Sequence, residues 1–149
     1  MENKVELISD QYIAGFFDGE GCVTWVRSRP EYRTMSVTIV QKKPEILYLI
    51  QKKYGGKIYF KKDKSHCAYW RICRVIDIRN FLSKIKPYCV VKLPDVIIAL
   101  EYVNNQIPCS MRFRGLSKEE TEKRQSLYNK FQEEVRGKIP LEIKGYIGD

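Results

Sequence analysis

Two hydrophobic periods alternate along this chain. Tyr12, Ile13, Phe16 and Phe17 recur at helical spacing behind Ser9 or Asp10, either of which can cap a helix. Asp18-Gly19-Glu20-Gly21 then stops it, because glycine tolerates the left-handed conformation in which helices end. Two strands follow, Cys22 to Arg29 and Tyr32 to Gln41, interrupted at Pro30-Glu31. In the second strand Met35, Val37 and Ile39 point one way, and Thr34, Ser36 and Thr38 the other.

Pro44 opens a second helix in which Ile46, Leu47, Leu49, Ile50 and Tyr54 keep helical spacing as far as Gly55-Gly56. A second strand pair comes next. Ile58 and Phe60 alternate with Lys57, Tyr59 and Lys61, and Trp70 and Ile72 alternate with Tyr69 and Arg71. Lys62 to His66 forms the polar turn between these strands. Further helices are expected from Asp77 to Ile85, from Pro94 to about Asn104, and from a capping box at Ser117 and Glu120 to near Gly137. The order helix, two strands, helix, two strands, helices implies an α+β fold. Its antiparallel four-stranded sheet carries helices on one face and a polar surface on the other.

The 149 residues suit one domain. The segment Met1 to Gln11 is too polar for a signal peptide, and no apolar run reaches bilayer-spanning length, so a soluble intracellular protein without a membrane partner is expected. Five cysteines without a C-x-x-C pair, and the single His66, exclude common zinc spacings and a disulfide framework. Charge adds the first functional clue. The formal net charge is +9, and residues 22–74 hold thirteen basic against three acidic residues, whereas residues 118–149 balance at seven each. A mid-chain basic surplus fits a polyanion, and paired strands with a polar face suit the DNA major groove.

The chemistry concentrates at the end of the first helix. Ala14 and Gly15 form a small-residue patch that lets another helix approach closely. Asp18 and Glu20 sit where the helix dipole is already negative, so they need a cap, an ion pair or a bound cation. A cation between a carboxylate and a phosphate is what metal-assisted phosphodiester hydrolysis requires. The stretch Ile13-Ala14-Gly15-Phe16-Phe17-Asp18-Gly19-Glu20-Gly21 resembles the LAGLIDADG motif at all nine positions, with isoleucine first and glutamate as the second acid.

The resemblance to LAGLIDADG homing endonucleases covers about residues 9–105, with 106–149 as a helical extension. It implies the αββαββα fold and a single-motif chain that pairs as a homodimer through Ala14 and Gly15. Glu20, at the eighth motif position, is the implied metal ligand, aided by the Gly19 carbonyl, with magnesium as the expected ion. Gln41 and Lys92 match supporting catalytic positions near the attacking water and the developing charge. Double-stranded DNA is the implied partner. Thr24, Ser28, Thr34, Ser36, Thr38, Lys57, Tyr59, Lys61, Tyr69 and Arg71 are the expected base readers, and Lys42, Lys43, Lys62, Lys64 and Lys92 the expected phosphate contacts. Relatives with a basic residue in the first turn of the second helix differ from this chain, which has Pro44-Glu45, so Lys42 or Lys43 must stand in. RNA-binding intron maturases and non-cleaving transcription regulators reuse this fold, which leaves intron RNA open as a partner. A restriction-type site built on Pro94-Asp95 and Glu142-Ile143-Lys144 is disfavoured, since Asp95 opens an apolar helix.

Overall fold

A computed structural model describes residues 8–29, 32–104 and 118–133. Ser117, Gly137, Cys109 and Glu142-Ile143-Lys144 lie outside the described residues, as does the side chain of Ser28. Helix α1 spans Asp10–Glu20, and of the two expected caps Ser9 serves: its hydroxyl accepts from the Tyr12 N–H at 3.1 Å. Asp10 instead pairs with Lys53 at 2.9 Å and accepts from the Tyr54 hydroxyl, tying α1 to helix α2, Glu45–Tyr54. Gly21 ends α1, but not by the expected left-handed route. Its φ of −83° and ψ of 158° are extended backbone leading directly into the sheet. Glycine is needed there for space, because a Cβ would lie 2.0 Å from the Phe17 ring.

Strands β1 (Gly21–Arg29), β2 (Tyr32–Gln41), β3 (Lys57–Phe60) and β4 (Ala68–Ile72) form one antiparallel sheet in the order β1-β2-β4-β3. α2 stops at Gly55 and Gly56, both at positive φ (74° and 90°), and the Trp70 indole donates to the Gly55 carbonyl at 2.7 Å. Phe60 departs from expectation: it stands at the free end of β3 and is 58% exposed rather than buried. Helix α3 (Val75–Ile85) begins two residues before the expected Asp77, and Pro87 falls within a 3₁₀ turn, Lys86–Tyr88. Helices α4 (Leu93–Asn104) and α5 (Lys118–Phe131) complete the described chain.

The core lies between the sheet and the helices. Val23, Met35, Val37, Ile39, Trp70 and Ile72 supply the sheet side, and Ile13, Ala14, Phe17, Leu47, Ile50, Phe81 and Leu82 the helix side. Phe81 of α3 is the hub, with ring centroids 5.8 Å from Phe17, 5.1 Å from Tyr54 and 5.0 Å from Trp70. A truncation at such a site typically costs about 3–5 kcal/mol. Trp25 extends the core towards α4 and α5, its ring 5.7 Å from Tyr102 and 4.1 Å from Phe131. Among the described residues, no helix is long and apolar enough to cross a membrane.

Candidate active site and nucleic-acid interface

The two acids of the motif have different surroundings. Glu20 is exposed, and no hydrogen bond or ion pair engages its carboxylate among the described residues. Asp18 is turned inward. Its carboxylate accepts from the Val90 N–H at 2.8 Å and from the Lys92 N–H at 3.0 Å, and the Lys92 ammonium donates to the Asp18 main-chain carbonyl at 2.9 Å. Burial pushes the Asp18 carboxyl up, but the Lys92, Val90 and Val91 amides and the Lys92 charge outweigh it and hold the group below the usual carboxylate range. Cys89 lies buried beside this knot. Desolvation, together with the Asp18 charge, pushes its thiol up to about 11, so the thiol stays protonated at neutral pH.

Lys92 is therefore not a loose surface charge. Half-buried, it lies on a carbonyl of the last turn of α1, two residues before Glu20, and offsets the negative end of the helix dipole. Among the described residues no group of three or more His, Cys, Asp or Glu side chains gathers as a metal cage. The donors at the end of α1 are one free carboxylate, Glu20, beside the exposed Gly19 and its main-chain carbonyl. An all-oxygen set this small fits a hard cation such as magnesium, which keeps several waters and shares phosphate oxygens. It does not fit a structural zinc site.

Gln41 lies two residues beyond Ile39, the register partner of Gly21, and so reaches the same end of the sheet as the α1 C-terminus. It is half-buried, with its side-chain carbonyl accepting from the Lys42 N–H at 2.8 Å, while Lys42 and Lys43 are exposed just past it.

The sheet face opposite the helices carries a polar row that crosses all four strands, Cys22–Thr38–Arg71–Lys57 in register. Three inter-strand steps span about 14 Å, close to the roughly 12 Å major groove. Beside it runs Val40–Tyr69–Tyr59, in which the two tyrosine rings stack at 5.0 Å. Thr34 is exposed at the far end of β2. Lys61, Lys62 and Lys64 are exposed in the β3–β4 connection, where the Asp63 carboxylate accepts from the Ser65 N–H. Among the described residues neither these lysines nor Lys42, Lys43, Lys57 or Arg71 makes an ion pair, and the Arg71 Nε is shielded from water without a hydrogen-bond partner. Ser36 departs from the expected open face: it is only 3% exposed, and its hydroxyl shares a 2.8 Å hydrogen bond with Thr24. Cys22, exposed in the central row, is a face residue that the expected set omits, although alternation from Val23 would have found it.

The outward side of α1 also corrects an expectation. Ala14 is fully buried in the core of its own chain. The exposed stripe is Tyr12, Gly15, half-buried Phe16 and Gly19, in which Tyr12 and Gly19 each stand three and four residues from the Gly15–Phe16 pair. A Cβ added at Gly15 or Gly19 would meet nothing within 4 Å. The small-residue patch is thus Gly15 and Gly19.

A family model described as LAGLIDADG endonuclease matches residues 13–90. No curated protein is a match. Among solved structures, the homing endonuclease I-CvuI in complex with its target in the presence of calcium aligns at 25% identity and a TM-score of 0.58, over 64% of this chain and 66% of that one. An archaeal intron-encoded homing endonuclease, I-Vdi141I, complexed with DNA, aligns at 22% identity and a TM-score of 0.61, over 80% and 82%. The I-SmaMI LAGLIDADG homing endonuclease bound to cleaved DNA aligns at 16% identity and a TM-score of 0.67, over 93% of this chain but 47% of that one.

Proposed function

Because the chain belongs to the LAGLIDADG endonuclease family, we propose that it is a homing endonuclease whose two copies bind a long, roughly palindromic double-stranded DNA site. With a divalent cation they hydrolyse both strands, leaving short 3′ overhangs. The observation that carries this reading is the Glu20 carboxylate, unengaged among the described residues and set at the edge of a sheet face whose described cations make no ion pair with any described acid.

Glu20 and the Gly19 carbonyl hold the cation, most simply magnesium. When bound, such an ion supplies charge neutralisation at the scissile phosphate and activation of water. Lys92 presents a fixed positive charge near the bond being broken, where developing negative charge needs it. Gln41, at the strand end, orients the attacking water with its amide nitrogen. Lys42 and Lys43 hold flanking phosphates, as do Lys62 and Lys64 at the same end of the sheet on its β4–β3 side. Thr24, Thr34, Thr38, Lys57, Tyr59, Lys61, Tyr69 and Arg71 face the bases. Ser36 supports Thr24 instead of touching DNA.

Pairing follows from the need for two cuts with one motif per chain. The outward stripe of Gly15 and Gly19, flanked by Tyr12 and Phe16, suits close helix–helix contact. The coverage of I-SmaMI supports the same arithmetic, since this chain matches about half of it. Paired sheets then lie along one duplex with two-fold symmetry.

The test is cleavage of a randomised DNA library, with and without magnesium, by wild type and Glu20→Gln in parallel. Magnesium-dependent cutting at one roughly palindromic site, lost in the variant while binding persists, is the expected result. Salt-sensitive binding with no cutting by the wild type would move the protein to the maturase or regulator class.

A further inference from the structure

We propose that Asp18 is a positioning residue for cleavage: it clamps the segment 90–92 onto the end of α1 and so holds the Lys92 ammonium beside Glu20. This rests on the endonuclease reading. Asp18 spends both carboxylate oxygens on that segment, Oδ2 on the Val90 N–H and Oδ1 on the Lys92 N–H. Its own carbonyl receives the Lys92 side chain. Among the described residues, the segment's other backbone hydrogen bond, the Val96 N–H donating to the Lys92 carbonyl at 3.0 Å, joins it to α4 but not to α1. Val90 and Val91 are 77% and 72% exposed and bring no apolar anchor, so the polar clamp sets where the chain runs between buried Cys89 and the start of α4. The carboxylate also faces the positive N-terminal end of α4, which begins at Leu93.

A lysine is a point charge on a flexible four-carbon stem, and an unrestrained one would spread its charge over many rotamers. Fixing its backbone and giving its ammonium a defined acceptor turns it into a preorganised charge. The motif acids thus divide the work. Asp18 is used up inside the chain, and Glu20 is left open to solvent. An asparagine at position 18 would keep one acceptor but turn an NH2 group towards one of the two N–H donors.

The test uses the full chain and two readouts. In the first, amine-reactive labelling followed residue by residue, Lys92 of folded wild type labels more slowly than exposed Lys42 and Lys43. Asp18→Asn raises its rate severalfold without changing theirs. Equal labelling of Lys92 and Lys42 in wild type, or no change in the variant, overturns the proposal, and the wild-type comparison needs no variant to fold. In the second, single-turnover cleavage, Asp18→Asn and Lys92→Met each slow the reaction about 10-fold to 100-fold at saturating DNA. The double variant is no slower than the slower single one, because both changes remove the same charge from the same place. Rate losses that multiply instead would reduce Asp18 to a structural contact. A wild type that cuts no DNA refutes the endonuclease reading by itself, and the labelling still decides whether Asp18 holds Lys92.

Discussion

Asp18 and Lys92 bind each other reciprocally: the Asp18 side chain accepts from the Lys92 backbone N–H at 3.0 Å, and the Lys92 side chain donates to the Asp18 backbone carbonyl at 2.9 Å. The two halves of this exchange differ in what their loss leaves behind. Lys92→Met removes a cation from a helix C-terminus, an effect of about 1 kcal/mol, and leaves the carboxylate with its amide donors. Asp18→Asn sets an N–H against an NH2 group, and an orphaned donor costs about 1–3 kcal/mol. Denaturant unfolding is expected to rank Asp18→Asn as the more destabilising change. The reverse order would show that the ammonium, not the carboxylate, holds the joint.

The open space at Gly15 separates pairing from folding. Glycine inside a helix costs roughly 1 kcal/mol relative to good helix formers, and nothing in the protomer obstructs a side chain there. Gly15→Leu is expected to leave the protomer folded, with an unfolding midpoint no lower than wild type, yet to sediment as a monomer and lose double-strand cutting. A dimeric, active Gly15→Leu would place the pairing surface elsewhere.

The cations of the sheet face divide into two kinds. Arg71 sits mid-row with its Nε shielded and unpartnered, so it is expected to read a base edge. Arg71→Ala should cost about 1–3 kcal/mol of binding and relax preference at one position in each half-site. Lys62, exposed in the β3–β4 connection, should touch phosphate only. Lys62→Ala should make the slope of log affinity against log salt shallower by about 1, with the preferred sequence unchanged. Binding to a library at several salt concentrations measures both.

Acid is expected to loosen the α1–α2 joint. Burial pushes the Asp10 carboxyl up, but the Tyr54 hydroxyl and the Lys53 ammonium outweigh it, and the net shift is below the ordinary carboxylate value of 3.8. Burial, with the same pairing, pushes the Tyr54 phenol well above its usual range. For a carboxyl whose folded-state pKa is lowered, the stabilisation is complete above its unfolded value and fades as pH falls through the folded one. Wild type should therefore lose stability below about pH 4. Asp10→Asn should be less stable at pH 7 and converge on wild type in stronger acid. Parallel curves for the two proteins across this range would rule out Asp10 as the titrating group.

Much of this molecule could be read from local pattern. Period-two alternation placed Thr38, Arg71, Lys57 and Tyr69 on one sheet face, and helical spacing placed Ile13, Phe17, Leu47 and Ile50 in the core, because those periods are properties of the backbone. The carboxylate at position 20 was equally visible, since it lies within one helix end. Long-range packing decided the rest. Whether Ala14 or Gly19 joined Gly15 on the outward stripe depended on how α1 rotates onto Phe81 and the sheet, and spacing along α1 is silent on that angle. Ser36 carried a correct face assignment but was closed off by Thr24, twelve residues away on the neighbouring strand. Phe60 kept an apolar identity at a strand end that no helix covers. Asp18 found its donors 72 and 74 residues along the chain, and a contact at that separation leaves no trace in either period. Local sequence carries propensity and periodicity, while helix rotation, edge exposure and distant hydrogen bonds arise only when separate segments compete for the same core and the same donors.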